Sequence, residues 1–149
     1  MVEFRNLTKV EFNERFLKKV ASNILEGEKQ EADLSVVFMG LSRMRKLNDR
    51  YCYRDCATDV LSFGRESVLS KEKFIMPPEM NDNLGEVVVC PGCVRNNAKR
   101  FGVLFEKELT ACIIHGILHL LGYNHERGGN EAKQMFRKQN YYLRQMFKR

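Results

Sequence analysis

All three histidines of this chain fall within eleven residues, His115-Gly116-Ile117-Leu118-His119-Leu120-Leu121-Gly122-Tyr123-Asn124-His125. They follow from the most apolar helical stretch of the sequence, residues 106–121. His115 and His119 are four apart, so a helix stacks them on one face. Gly122 then suits a helix end, because glycine enters the left-handed region at low cost. A turn there brings His125 back toward the pair. Three imidazoles converging in this way hold one metal ion and leave a position open to water, as catalytic zinc sites do. Imidazole favours zinc, and no carboxylate ligand is evident. The expectation is one Zn2+ on His115, His119, His125 and water.

The rest of the chain predicts an α+β domain. Its 149 residues suit one domain, residues 1–149, and are enough to bury a core without disulfides. Ten Phe and five Tyr among 30% charged residues exclude a disordered polymer. The five cysteines, Cys52, Cys56, Cys90, Cys93 and Cys112, are an odd number and read as thiols. No apolar run approaches the roughly 18 residues of a membrane helix. The first residues, Met1-Val2-Glu3-Phe4-Arg5, lack the layout of a signal peptide. A cytoplasmic protein without a membrane partner is expected.

Periodicity supplies the elements. Strands are predicted over residues 2–6, 33–39 and 85–90, with a turn into a strand over 58–63. Helices are predicted over 11–25 (with Gly27 just past its end), 41–51, from Pro91 to near Gly102, 106–121 and 130–147. The last is basic and amphipathic, with Met135, Tyr142 and Met146 on one side. Residues 64–83 show no sustained period and contain Pro77-Pro78, so they read as a long loop of the kind that often binds or covers a ligand. Together these give a small mixed β-sheet with packed helices, and a zincin-like metal site on a helix and the turn after it.

Charge narrows the partner. Residues 127–149 carry seven basic residues against Glu131 alone, which accounts for the whole formal charge of +6. A second cluster holds Arg43, Arg45, Lys46, Arg50 and Arg54. Clustered cations favour a polyanion such as nucleic acid, although solvated helix faces look the same. The spacing H-x3-H-x2-G-x2-H is that of the metzincin peptidases, which place a glutamate base directly after the first histidine. Gly116 occupies that position, so peptide hydrolysis is disfavoured. RNA cleavage is more forgiving. Its 2′-hydroxyl supplies a nucleophile, and a metal stabilises phosphoryl charge.

The segment HGILHLLGYNH closely resembles the signature of the YbeY family of bacterial ribosomal-RNA maturation endoribonucleases. Leu47-Asn48, Tyr51, Asp55 and Thr58-Asp59-Val60-Leu61-Ser62-Phe63 agree with it in order and spacing. So does Leu84-Gly85-Glu86, where the family usually has Asp third. The resemblance spans roughly residues 47–126. It implies a zinc-dependent endoribonuclease of single-stranded RNA, with roles in 3′-end maturation of small-subunit ribosomal RNA and in ribosome quality control. The ribosomal subunit is a further implied partner. The implied ligands map onto His115, His119 and His125. The family's arginine after the tyrosine is replaced by Cys52, which makes Arg54 the candidate for its catalytic or phosphate-binding role. Asn124 stands where the family usually has Asp. A rival reading keeps RNA binding but makes the metal structural and the protein a ribosome-assembly factor with little catalysis.

Other features have two readings each. Cys90-Pro91-Gly92-Cys93 has redox spacing at a helix start, where a thiol pKa would fall. With Cys52 and Cys56 the pair could instead form a four-cysteine site, but ordinary semi-buried thiols are favoured, with Cys112 in the core. Asp59 and Ser62 are favoured as turn residues bonding their own backbone, over contacts to metal or substrate. Glu126 could act as a base or be a solvated acid.

Overall fold

The computed structural model describes residues 1–64, 83–123 and 129–147. Four strands form one sheet in the order β1-β2-β4-β3: β1 (Val2–Asn6), β2 (Asp33–Phe38), β3 (Val60–Gly64) and β4 (Asn83–Val89). β1, β2 and β4 run parallel, and β3 pairs antiparallel with β4 at the edge. Among the described residues five helices pack around it: α1 (Glu14–Gly27), α2 (Leu41–Cys52), α3 (Pro91–Phe101), α4 (Phe105–Leu120) and α5 (Gly129–Met146). The mixed α+β architecture expected from the periodicity is therefore the one observed.

Strand alternation assigns the two faces. Leu34, Val36 and Phe38 of β2, with Val87 and Val89 of β4, point into a core shared with α1, α4 and α5. Val88 and Phe63 point the other way, onto Met44 and Leu47 of α2. The face toward α1 and α4 is apolar throughout, whereas the other mixes Val37 and Val88 with Ser35 and Glu86 and is less deeply buried on β2. α4 is the central helix, with Leu109, Ile113, Ile114, Ile117 and Leu118 all buried. No helix among the described residues is long and apolar enough to cross a membrane.

The element boundaries correct several expectations. α1 begins at Glu14, not at residue 11, because the Asn13 side chain accepts from the Phe16 amide and caps the helix there. Phe12 lies outside the helix and packs its ring 4.3 Å from that of Phe38. Gly27 is not the residue past the helix end; it is the last helical residue, and Lys29 takes the positive φ of 58°. The glycine is explained by α5: a Cβ on Gly27 would lie 2.6 Å from the Tyr142 hydroxyl oxygen. The 64–83 loop loses both its ends to strands, Gly64 to β3 and Asn83 to β4, and its remainder lies outside the described residues.

One buried carboxylate joins three parts of the chain. Glu28, just after α1, accepts from Tyr123 at 2.7 Å, from Lys138 of α5 at 2.9 Å, and closely from the Tyr142 hydroxyl. Its side chain is only 10% exposed. Burial alone would raise its pKa, but the three hydrogen bonds and the Lys138 charge outweigh burial and hold it below the ordinary value. A lowered folded pKa contributes stability that is complete above about pH 4.5 and is lost as pH falls through the folded value. Glu28→Gln should thus destabilise the protein by about 2–3 kcal/mol near neutrality, with charged hydrogen bonds lost. In urea melts, its deficit against the native chain should shrink between about pH 7 and about pH 3.

Candidate metal and nucleic-acid site

The candidate site begins with how closely α4 lies on the sheet. A Cβ at Gly116 would meet Val87 Cγ1 at 2.7 Å, Ser62 Oγ at 3.1 Å and Val60 Cγ2 at 3.2 Å. Ser62 donates its hydroxyl to the Gly116 carbonyl at 2.8 Å, which pins the helix to edge strand β3. This corrects the turn reading of Ser62, which sits within a strand and bonds a helix 54 residues away. It also accounts for the glycine after the first histidine: no glutamate fits there. The position that holds the base in a metallopeptidase is here a packing contact.

On the adjoining face of α4, Glu108, Cys112, His115 and His119 follow one another at spacings of four, three and four. That is one helical stripe, and all four line a single open cleft. The imidazoles of His115 and His119 are edge to face, with ring centroids 4.6 Å apart. Nδ1 of His115 is 2.9 Å from Oε1 of Gln139 on α5. With the amide oxygen accepting, Nδ1 carries the proton and Nε2 keeps its lone pair. The donor chemistry and the exposure of the pair to the cleft fit a divalent metal.

After His119 the helix closes in a Schellman turn. Gly122 N–H donates to the His119 carbonyl at 3.0 Å, Tyr123 N–H donates to Leu118 at 3.1 Å, and Gly122 has a φ of 102°. The predicted glycine turn is present, and the Tyr123–Glu28 hydrogen bond anchors it. His125, Asn124 and Glu126 lie outside the described residues.

The opposite wall of the cleft includes Asn48, Cys52, Arg54, Thr58, Asp59 and Ser62. Arg54 and the two described histidines thus share one cleft, and so does Cys52. Asn48, buried at the end of α2, donates to the Cys56 carbonyl at 2.9 Å and shapes the segment that presents them. Arg45 of the same basic cluster is committed elsewhere, in a two-point pair with Asp55 at 2.7 and 3.1 Å. That pair holds the Asp55 carboxyl below its usual range.

A second cluster was less visible in the sequence. Asp59, Glu108 and Cys112 place their ligand atoms within 4.8 Å of one another, the one such trio among the described residues. Asp59 uses one oxygen as expected for a turn, accepting from the Val60 amide at 2.8 Å. Its other oxygen accepts from Asn97 at 3.4 Å and from the Cys112 thiol at 3.5 Å. Burial, then the Asp59 charge, raise the Glu108 carboxyl. Burial and both carboxylates push the Cys112 thiol far up, so it is an inert donor. Periodicity alone could have joined Glu108 to the histidines. Gln139 carried no such signal, because its role depends on how α5 packs.

The four-cysteine site does not form: Cys52 and Cys56 are exposed, Cys90 is buried, and the four do not converge among the described residues. Nor does the helix start activate Cys93. Burial, together with Cys90 beside it, pushes Cys93 up to about 12. That is the opposite of a redox nucleophile.

The fold is an α+β domain with two imidazoles and Arg54 on one cleft and no room for a side chain at Gly116; similarity to known proteins gives its class, a nuclease of the endoribonuclease kind. The chain belongs to the YbeY family; the family model described as Endoribonuclease YbeY matches residues 3–147. Members of this family are hydrolases that break RNA phosphodiester bonds. An Endoribonuclease YbeY of Thermotoga petrophila is 36% identical over 131 residues, 88% of this chain and 79% of the relative. One from Staphylococcus saprophyticus is 38% identical over 118 residues, 79% and 74% of the two chains. The solution structure of a Thermotoga maritima protein shares the fold, with a TM-score of 0.67 and 32% identity over 99% of this chain and 89% of that one.

The packing at Gly116 has a direct test. Gly116→Ala must displace Val87 or Ser62 and should cost about 1–3 kcal/mol, read as a lowered thermal midpoint. Gly116→Glu should fail to yield folded protein.

Proposed function

We propose that this chain is a zinc-dependent endoribonuclease of single-stranded RNA. It acts in the cytoplasm on the 3′ end of small-subunit ribosomal RNA and in ribosome quality control. The observation that carries this reading is that His115 and His119 line one cleft with Arg54, on a helix that closes in a glycine turn at Gly122.

His115, His119 and His125 hold one zinc ion, with water completing its shell. When bound, zinc supplies Lewis acidity toward a phosphoryl oxygen. Gln139 keeps the His115 lone pair on Nε2, and Ser62 with Gly116 holds the helix that carries two of the ligands. Arg54 binds a phosphate and offsets charge as it develops there. The Asp59–Glu108 pair faces the same cleft and disfavours a second phosphate at its position, because like charges repel. An extended single strand must therefore lay its phosphates toward the basic wall and the histidines.

Cys52 favours one second reading. It is uncharged and lines the cleft where the resemblance places an arginine, which suits an RNA-binding assembly factor with a structural metal. One experiment separates the two. Metal content is measured on the purified chain, and a single-stranded RNA is offered before and after chelation. The nuclease reading expects about one zinc per chain and cutting that the chelator abolishes and zinc restores. His119→Ala should cut at least about 100-fold more slowly, and Arg54→Ala about 100-fold. Undiminished cutting by His119→Ala overturns the reading; stoichiometric zinc with no cutting establishes the assembly-factor alternative.

A further inference from the structure

Tyr53 stands in a conformation that its side chain makes costly. α2 ends at Cys52, and Tyr53 closes it in the left-handed region, φ 59° and ψ 32°, with its amide donating to the Asn48 carbonyl. Glycine is the residue that suits such a helix end; a bulky side chain there meets its own backbone. Strained backbone of this kind points to function when the fold gains nothing from the side chain. Here it gains nothing: Tyr53 is 89% exposed, more than any other large hydrophobic side chain among the described residues. Helix stability favours glycine at this position, and solubility favours a polar residue.

Its surroundings indicate what the ring is for. The residues on either side, Cys52 and Arg54, both line the cleft that holds His115 and His119. Arg50, in the last turn of α2, and Arg54, just past it, are both exposed at the same helix end. The guanidinium of Arg50 already lies over an aromatic face, 5.2 Å from the Tyr51 ring centre. An exposed ring among cations, at the rim of a nuclease cleft, is the arrangement with which proteins hold single strands. The ring takes a base face, and the cations take phosphates.

We propose that Tyr53 is a base-stacking platform at the cleft rim, receiving one unpaired nucleobase of the RNA while Arg54 contacts a neighbouring phosphate. This rests on the nuclease reading and deepens it. Bases in a duplex are already stacked on both faces, so the platform selects single strands. It does so without selecting sequence, since every base has a face to offer. The ring is a binding and positioning group and takes no part in bond breaking.

The chain contains no tryptophan, so Tyr53→Trp introduces a unique indole fluorophore at this position. The probe is an end-labelled, fully 2′-O-methylated single-stranded oligonucleotide. Its binding to that variant is followed by label anisotropy and by indole emission in the same titration. The proposal expects the indole to be quenched in step with the anisotropy, and little quenching by the duplex of the same sequence. Tyr53→Gly should bind the single strand about tenfold more weakly, while its thermal midpoint does not fall. Tyr53→Phe should bind like the native chain. A merely structural tyrosine predicts the reverse for Tyr53→Gly, a lower midpoint with unchanged affinity, and that result overturns the proposal. Anisotropy that rises with no change in indole emission overturns it as well, and leaves the nuclease reading standing. No binding of any single strand overturns both. Quenching by poly-glutamate but not by the oligonucleotide assigns the ring to an acidic protein partner and also overturns it.

Discussion

The approach of α4 to the sheet at Gly116 is the contact on which the site depends. The helix is close enough that Val87, Val60 and Ser62 fill the space a side chain would occupy. With Gly116 pressed onto β3 and β4, the adjoining stripe of α4 lines a cleft beside β3. The two histidines flank Gly116 in sequence, one residue before it and three after. The hydrogen bond from Ser62 to the Gly116 carbonyl holds the helix in place at that level. The same contact removes the base that a peptidase needs. The close packing of helix on sheet therefore depends on one missing side chain.

Around that contact the structure concentrates its polar interactions where elements must be held, not merely covered. Glu28 gathers Tyr123, Lys138 and Tyr142, so the end of α1, the turn after α4 and the face of α5 are fixed together. Gly27 lets α5 come close enough for this to happen. Gln139, on the same helix as Lys138 and Tyr142, then meets His115. Three hydrogen bonds to one buried carboxylate outweigh the cost of burying it, as its lowered pKa shows. The site is held from two sides, by the sheet through Ser62 and by α5 through Gln139.

The charge of the chain is less simple than its net value. Lys138 is tied to Glu28 and Arg45 to Asp55, so part of the basic excess serves the fold. The middle of the cleft is acidic, with Asp59 beside Glu108. Arg54 and this acidic pair thus give one cleft both signs of charge. Beside Arg54 the charge gives way to an exposed aromatic ring, Tyr53.

The elements and the local chemistry were legible in the chain alone. Apolar periodicity marked the helices and strands, because a residue's face follows from its place in a repeat of 3.6 or 2. The histidine spacing and Gly122 gave the turn after α4, since both are properties of a few adjacent residues. Other features were settled only by folding, and they involve residues far apart in the chain. Gly27 has the local pattern of a helix cap but serves a close approach to Tyr142. Ser62 has the pattern of a turn but ties a strand to a helix. Cys93, at a helix start, has the setting of an activated thiol, but the core around it raises its pKa instead. Gln139 carried no local pattern, and although Asp59 and Glu108 each had one, nothing local joined the two. In each case the deciding atoms come from other elements, most of them dozens of residues away. Local propensity is written in neighbouring residues, whereas burial and close approach are set by whichever elements the fold brings alongside.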